Sequence, residues 1–343
     1  MNALLISDLH LTDNPRDAYR WGLFEWLTKT VTEHDVRDLF LLGDLTESKD
    51  RHPARLVNRV VTVLITLFRQ TRLLGIHVLR GNHDGIDPNH SYFRFLGKFP
   101  SIEFIETPFA KEYSGREVLM LPHTTEPLKA WEQVELSKAD FIFMHATVKG
   151  AVSENGQQLD GIPAGFLNTA RHAKIYSGDV HVPQTVKVSG IGVEYVGAPY
   201  PVKFGDAFEP RAVLLKNFRE ARSLPIPAIR RLMLTVTAAD KRIDLSGARE
   251  GDQVKVKVRL APSEYGDWAG CKRRVVEACE KAEVELSGLE LEKVEQRIRL
   301  RTPTVTSIKS KHQVFIGFCE ANKIPKDVVA EGAFILTEID NGV

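Results

Sequence analysis

Length, composition and charge place the chain among soluble globular proteins. Its 343 residues are 43% hydrophobic and 27% charged, which suits roughly two domains of about 150 residues each. Because the chain has 46 Lys and Arg residues and 45 Asp and Glu residues, its net charge is +1. This near-neutral charge excludes a general attraction to nucleic acid or membrane. The same balance excludes a disordered chain, which needs low apolar content and high net charge.

The cysteines and the N-terminus favour a reducing, aqueous compartment. Cys271, Cys279 and Cys319 form no CxxC pair, which argues against a disulfide framework and a zinc–thiolate site. The chain runs into the apolar stretch Ala3–Ile6 without a basic leader, and nowhere do about 18 apolar residues follow one another. We therefore expect a cytoplasmic protein without membrane association.

Short apolar runs alternate with helical patterns over the first 220 residues. The run Ala3–Ile6 predicts a buried strand, and apolar residues at helical spacing between Ala18 and Val31 predict a helix. A second helix is predicted at Leu56–Leu74. Further strands are predicted at Leu39–Leu42, Ile76–Leu79, Val118–Leu121, Phe141–Met144, Ile175–Tyr176, Thr185–Val188 and Val193–Val196. This order of strands and helices indicates a layered α/β fold.

A smaller α+β domain is predicted after a linker at Ser223–Pro227. Strict alternation in Val254–Leu260 and Gln296–Arg301 predicts two half-buried strands, with a helix at Gly270–Ala282 between them. A final helix is predicted from Ser307 to Asn322. The expected divisions are a main domain at 1–222, a capping domain at 228–301 and a C-terminal helical segment at 302–343.

Potential metal ligands follow five of the predicted strands. The motifs are Asp8-Leu9-His10, Gly43-Asp44, Gly81-Asn82-His83-Asp84, His145 and Gly178-Asp179-Val180-His181. Singly, Gly43-Asp44 is an ordinary turn and His145 an ordinary core histidine. Because carboxyl ends of parallel strands open onto one crevice, we expect the motifs to meet there. Oxygen and imidazole ligands without thiolates suit Mn²⁺, Fe²⁺ or Zn²⁺, and about seven ligands exceed the four of one zinc ion, so two metals are expected.

This series of motifs resembles the calcineurin-like metallophosphoesterase superfamily. The resemblance implies a layered β-sandwich flanked by helices, with a two-metal centre between strand ends. It implies that Asp44 bridges the two metals, that His83 contacts the phosphate or protonates the leaving oxygen, and that Asp84 orients the His83 imidazole. The remaining implied ligands are Asp8, His10 and His181 for one metal, and Asn82, His145 and Asp179 for the other.

The last motif departs from the family pattern. The family usually has Gly-His-x-His there, whereas this chain has Gly178-Asp179-Val180-His181. An aspartate adds charge and a harder oxygen at the second metal, so we expect Mn²⁺, or Mg²⁺, in preference to Zn²⁺. The alternative is a weakened second site.

A further segment is similar to one in SbcD-type DNA repair nucleases. Tyr195-Val196-Gly197-Ala198-Pro199, followed by Phe204-Gly205-Asp206, resembles the stretch after the last metal motif in those enzymes, with Ala198 replacing the usual serine. The resemblance implies exonuclease action on duplex ends and endonuclease action on single strands, in DNA repair and recombination. It also implies a homodimer, an SbcC-type ATPase partner, and a bacterial or phage-infected host cytoplasm. Alone, the segment is an ordinary Gly/Pro turn.

The capping domain concentrates cations on the predicted outer faces of its strands and helix. We expect these side chains to contact DNA phosphates by charge rather than by reading bases. They are Lys255, Lys257, Arg259, Lys272, Arg273, Arg274, Arg297, Arg299 and Arg301. The alternative is a solvated face that nearby acids neutralise, namely Glu283, Glu285, Glu290, Glu292 and Glu295.

Two other functions remain open on the sequence alone. The chain could be a metallophosphoesterase that hydrolyses small phosphodiesters or phosphoproteins, with no affinity for DNA. It could also be a catalytically decayed scaffold, an alternative that Asp179 raises and that the presence of His83 argues against.

Overall fold

The computed structural model describes residues 1–87, 89–188, 190–293 and 311–340. Its helices are α1 (Leu23–Glu33), α2 (Ala54–Gln70), α3 (Pro127–Ala130), α4 (Trp268–Lys281), α5 (Lys311–Ala321) and α6 (Lys326–Asp340). Its strands are β1 (Asn2–Ile6), β2 (Val36–Leu41), β3 (Gly75–Leu79), β4 (Ile102–Ile105), β5 (Phe109–Tyr113), β6 (Arg116–Leu121), β7 (Phe141–His145), β8 (Lys174–Gly178), β9 (Gln184–Val188), β10 (Ile191–Tyr195), β11 (Arg211–Lys216), β12 (Glu220–Pro225), β13 (Arg231–Thr237), β14 (Gln253–Leu260) and β15 (Glu285–Lys293).

Two six-stranded sheets form the main body. The first has the order β12-β11-β1-β2-β3-β4, and the second has the order β5-β6-β7-β8-β10-β9. Strands β1 to β4 run parallel, as do β6, β7, β8 and β10, whereas β5, β9, β11 and β12 pair antiparallel with their neighbours. All five motif-bearing strands therefore lie in the parallel parts of the two sheets.

The two sheets pack face to face across an apolar layer. Leu5 and Phe40 of the first sheet share a buried cluster with Met120, Phe143 and Tyr176 of the second. On its other face the first sheet is covered by α1 and α2, whose apolar residues join those of β1 to β3. The expected layered α/β sandwich flanked by helices is confirmed.

A three-stranded sheet follows the sandwich, in the order β13-β14-β15. Alternate residues Val254, Val256 and Val258 of β14 are fully buried, and α4 buries Cys271 and Val275. The alternating pattern at Val254–Leu260 thus corresponds to β14, whereas β13 and β15 are not among the predicted strands. The boundaries proposed at residues 222 and 228 stay predictions.

The predicted linker at Ser223–Pro227 is wrong. Residues 220–225 form β12, which pairs with β11 from Arg211↔Pro225 to Lys216↔Glu220. Ile226 is buried in the core of the first sheet. Two prolines suggested an irregular stretch, but proline is compatible with the edge position that β12 occupies.

The C-terminal helices α5 and α6 form a compact unit with each other. A methyl group at Gly332 of α6 would lie 2.3 Å from the Phe315 ring of α5, so the two helices approach closely there. The predicted strand Gln296–Arg301 lies outside the described residues. Among the residues described, no helix combines the length and apolar character needed to cross a membrane.

Candidate metal centre

The five sequence motifs meet where the two sheets end. Asp8, His10 and Asp44 follow β1 and β2 of the first sheet, whereas His145 ends β7 of the second. The backbone N–H of Asp179, after β8, donates to Oδ1 of Asp8 at 3.0 Å and so joins the two sheets directly. Residues as far apart in the chain as Asp8 and Asp179, which are 171 positions apart, thus share one crevice.

Strained backbone marks the predicted ligands. Asp8, His10, Asp44 and Asp179 all have positive φ, at 54°, 43°, 54° and 79°. Such conformations are uncommon for residues other than glycine and cluster at functional sites. Backbone hydrogen bonds hold them, since the N–H of His10 donates to the Asp44 carbonyl at 2.9 Å.

The first group of ligands consists of Asp8, His10 and His181. Their ligand atoms all lie within 4.8 Å of one another, and Nε2 of His10 lies 3.0 Å from Nε2 of His181. Oδ2 of Asp8 is buried without a hydrogen-bond partner. A shared cation would satisfy both the facing nitrogens and the orphaned oxygen, so this group fits a metal.

The second group surrounds Asp44 and His145. Nε2 of His145 lies 3.5 Å from Oδ1 of Asp44 and 3.7 Å from Oδ1 of Asp179. The terminal amide of Asn82 lies 2.9–3.0 Å from both Asp44 oxygens and 3.0 Å from His145 Nε2. The amide NH2 group can donate to these acceptors, and a turn of the amide would instead present its oxygen to a shared cation.

The orientation of the histidines matches metal binding in both groups. Nδ1 of His145 donates to the Leu42 carbonyl at 2.7 Å, while Nδ1 of His10 lies 3.3 Å from Glu47 Oε2 and Nδ1 of His181 lies 2.7 Å from Glu154 Oε1. Each histidine therefore points Nε2 into the crevice. An outer oxygen that holds one ring nitrogen commonly fixes the tautomer of a metal-binding histidine.

The site's carboxylates favour added positive charge. Burial raises the pKa of Asp44 well above its ordinary value. Burial also lowers the pKa of His145, but the charges of Asp44, Asp179 and Asp8 outweigh it and raise this pKa to about 9. The raised pKa values mean that Asp44 and His145 favour bound protons, and divalent cations would supply this positive charge instead.

His83 lies beside the first group. Its ring centroid is 4.8 Å from that of His10, and its backbone N–H donates to Asp44 Oδ1 at 2.8 Å. Nδ1 of His83 donates to the Glu47 carbonyl at 2.5 Å. Nε2 is therefore the nitrogen left to exchange a proton with a substrate.

The expected pairing of Asp84 with the His83 imidazole is corrected by the structure. The buried Asp84 carboxylate accepts backbone hydrogen bonds from Gly81, Asp44 and Leu45 at 2.7–2.9 Å. Both of its oxygens are used by these bonds, and the Glu47 carbonyl takes the place expected for Asp84 on the imidazole. Asp84 instead fixes the loops that carry Asp44 and Asn82.

Close packing around the ligands requires glycine at three motif positions. A Cβ at Gly81 would lie 2.2 Å from Asp44 Oδ1, and one at Gly178 would lie 2.3 Å from the Leu42 carbonyl oxygen. A Cβ at Gly43, which also has φ of +94°, would lie 2.1 Å from Nδ1 of His145. These glycines let the strand ends approach.

Two carboxylates at the site do not emerge from the sequence analysis. Glu47 contacts His10 and lies 3.7 Å from the buried Arg20 guanidinium, and its close contact with the His10 imidazole lowers its pKa to about 2. Contact with His181 likewise lowers the pKa of Glu154 to about 2. Glu47 could have been suspected three residues after Asp44, but Glu154 lies in an irregular loop far from any motif.

The cations of the capping domain have mixed surroundings. Lys255 lies 2.6 Å from Glu290 and Arg259 lies 3.1 Å from Glu292, so acids neutralise these two positions. Arg274 donates at 3.5 Å to the Ala238 carbonyl. Lys272 and Arg273 are exposed and Lys257 is half-buried. The remaining three, Arg297, Arg299 and Arg301, lie outside the described residues.

One comparison with known proteins, the family model, identifies the family of the chain. The model of the calcineurin-like phosphoesterase family matches residues 1–192, the part that contains all the predicted metal ligands. No curated protein matches the chain. Among solved structures, an archaeal phosphodiesterase is similar at 12% identity and a TM-score of 0.39, with 66% of this chain and 99% of that chain covered. From the family match, the chain belongs to the calcineurin-like phosphoesterases, which are metal-dependent phosphoester hydrolases.

Proposed function

We propose that the chain is a DNA phosphodiesterase that uses two Mn²⁺ ions, and that it serves as the nuclease subunit of an SbcCD-like repair complex. The observation that carries the proposal is the convergence of all seven predicted ligands around Asp44, with His83 beside them. A site that had lost catalysis would have no reason to keep His83 in this position.

The chemistry divides between the cations and the chain. Bound divalent ions act as Lewis acids on phosphoryl oxygens. Within the chain, the Glu47 carbonyl holds Nδ1 of His83, so His83 presents Nε2 to the leaving oxygen as a proton donor. The hydrogen bond from Thr147 Oγ1 to Asp179 Oδ2, at 2.5 Å, fixes the carboxylate that replaces the family's histidine.

A cationic groove beside the centre supports a polyanionic substrate. The groove has a volume of about 330 Å³ and is lined by four cationic and two acidic side chains. Among them, Arg16 is exposed, and Lys203 has 68% of its side chain exposed and lies 3.7 Å from Glu154. Both side chains are exposed enough to meet phosphates that flank the scissile one, although Lys203 also faces Glu154.

The segment that resembles SbcD-type nucleases packs directly on the metal centre. The N–H of Ala198 donates to the His181 carbonyl at 2.9 Å, and Tyr195 accepts a hydrogen bond from the N–H of Val148 at 2.7 Å. Gly197 has φ of +84° and lies too close to Pro183 for a side chain. This support is consistent with the SbcD-type proposal, which also includes a homodimer and an SbcC-type ATPase partner.

A second candidate function is hydrolysis of small phosphodiesters. The ion pairs of Lys255 with Glu290 and of Arg259 with Glu292 favour it, because they remove free charge from the face expected to bind DNA. This enzyme would need the same two cations and the same His83.

Cleavage of labelled single- and double-stranded DNA with Mn²⁺, Mg²⁺ or EDTA tests the proposal. We expect Mn²⁺-dependent cleavage that falls by about 10²–10⁴ in His83→Ala, while that variant still binds Mn²⁺. Hydrolysis of bis(4-nitrophenyl) phosphate without cleavage of any DNA would overturn the DNA proposal and favour the small-phosphodiester enzyme. Inactivity on both substrates would point to the decayed scaffold.

A further inference from the structure

A cavity of about 630 Å³ opens beside Asp179. Its walls come from residues 123–129, from Ala146 and Thr147 after β7, and from residues 160–163. Asp179 and Thr147 line the cavity and are hydrogen-bonded to each other at the metal centre, so the cavity and the centre are continuous. Its volume lies within the ~300–1,000 Å³ typical of sites for small organic groups.

The lining of this cavity suits a neutral group. Leu128 and Pro163 supply apolar surface, because both are exposed and Leu128, with its large apolar side chain, is 49% exposed. The charged lining residues are the acids Glu126, Asp160 and Asp179 and one cation, Lys129, which lies 3.5 Å from Glu126. A second phosphate would therefore meet net negative charge, whereas an uncharged ring would gain apolar contact.

The position of His83 indicates which part of a phosphodiester the cavity would hold. His83 lies next to His10, with ring centroids 4.8 Å apart. The cavity lies toward Asp179, where the ring of His123 is 6.0 Å from that of His145. Because the leaving oxygen must reach His83, the group in the cavity is the one that stays bonded to phosphorus.

We propose that this cavity is the specificity site for the nucleoside retained on the scissile phosphate, with the base against Leu128 and Pro163. The inference rests on the proposed function, since it assigns one part of the DNA substrate to the same centre. It predicts selection for a ring-bearing nucleoside rather than a simple alkyl group. The selection would act next to the metals, apart from the cationic groove.

Esters that share a leaving group test this assignment. The substrates are the 4-nitrophenyl phosphate diesters of thymidine, joined through its 5′ or its 3′ oxygen, and methyl 4-nitrophenyl phosphate, each assayed with Mn²⁺. In Leu128→Ala we expect the ratio of kcat/KM for at least one thymidine ester to that for the methyl ester to fall about five- to tenfold. The matched control Leu74→Ala, at a residue 61% exposed and absent from the cavity lining, keeps the wild-type ratio.

The outcomes separate this inference from the proposed function. The nucleoside site is overturned if Leu128→Ala leaves the kcat/KM ratio unchanged for both thymidine esters, or if it lowers kcat/KM equally for the methyl ester. Mn²⁺-dependent hydrolysis in the same assay would still support the metal centre. A further substrate is a thymidine ester that has an additional phosphate. If wild type prefers this substrate and Leu128→Ala does not, the cavity binds a phosphate and the nucleoside site is overturned. If wild type cleaves DNA with Mn²⁺ but hydrolyses neither thymidine ester, the nucleoside site is overturned, and if it does neither, the proposed function itself fails.

Discussion

At the scale of single residues, the metal centre depends on which nitrogen each histidine presents. His10, His145 and His181 each have Nδ1 beside an oxygen and Nε2 toward the crevice. Two of those oxygens belong to Glu47 and Glu154. Because imidazole rotates easily when its outer nitrogen is free, such contacts preorganise the ligands before a cation binds.

Glu154→Gln tests the outer contact to His181. The amide keeps the shape of the side chain but loses the charge that holds Nδ1 of His181 at 2.7 Å. We expect Mn²⁺ affinity to fall about 10–100-fold, measured by titration calorimetry. Glu25→Gln, on the exposed face of α1, is the control. Equal affinity in wild type and Glu154→Gln would show that the carboxylate does not position His181.

At the scale of secondary-structure elements, the site exists because strand ends pack more closely than side chains normally allow. Gly81, after β3, sits against Asp44, after β2. Gly178, at the end of β8, sits against the Leu42 carbonyl and so brings the second sheet onto the first. The glycines are thus as necessary to the centre as the ligands.

Gly81→Ala is expected to disturb Asp44 directly. The new Cβ would lie 2.2 Å from Oδ1 and 2.4 Å from the backbone nitrogen of Asp44, so the loop must shift. We expect a stability loss of about 1–3 kcal/mol, measured by urea unfolding, together with weaker Mn²⁺ binding. Gly247→Ala, where no atom lies within 4 Å of the new Cβ, controls for glycine loss. Wild-type Mn²⁺ binding in Gly81→Ala would contradict the packing argument.

A buried ionic network in the first sheet makes stability depend on pH. Nε2 of His77 lies 3.0 Å from Asp38 and Nδ1 lies 2.8 Å from Glu103. Burial lowers the pKa of His77, but these carboxylates outweigh it and raise the pKa above 6.5. The stabilisation is therefore complete below about pH 6.5 and is lost as pH rises through the folded-state pKa.

His77→Gln measures this contribution. The free energy of unfolding of wild type minus that of the variant, both with Mn²⁺, should be largest near pH 6 and shrink toward pH 9 by about 1–3 kcal/mol. Guanidine or urea titrations over about pH 6–9 supply the difference. A difference that does not change with pH would mean that His77 is neutral in the folded protein.

The ligands at the strand ends were predictable from the sequence, whereas the contacts that residues distant in the chain make to those ligands were not. Buried parallel strands read as apolar runs, so β1, β2, β3 and β7 and the ligands after them stand out. β12 was missed because Ser223 and Pro225 break the apolar pattern at a sheet edge. Glu154 was missed because its contact to His181 depends on how a loop folds back, which no local spacing encodes.

At the scale of the whole molecule, charge is arranged locally on a nearly neutral chain. The net charge is +1, but the groove next to the metal centre contains Arg16, Arg20, Lys203 and Arg231 against Asp17 and Glu47. Arg231 begins β13 and donates to the Val202 carbonyl at 2.6 Å, so the three-stranded sheet contributes to this groove. A DNA backbone could follow it away from the centre.

Salt dependence tests this path. Neutralising Lys203 as Lys203→Gln should reduce the slope of log Kd for DNA against log salt by about one, in fluorescence anisotropy with Ca²⁺ replacing Mn²⁺ to limit cleavage. Lys29→Gln, with a side chain 74% exposed on α1, should keep the wild-type slope. Equal slopes for all three proteins would exclude Lys203 from the DNA path.

The most direct test of the metal centre is the number of Mn²⁺ ions bound per chain, measured by equilibrium dialysis and elemental analysis. We predict two ions in wild type, since Asp179 keeps a carboxylate among the second group of ligands, and a loss of both tight sites in Asp44→Ala. Asp160→Ala, at an exposed residue outside both groups, should still bind two. At most one ion in wild type would contradict a two-metal centre and mean that Asp179 does not complete the second site.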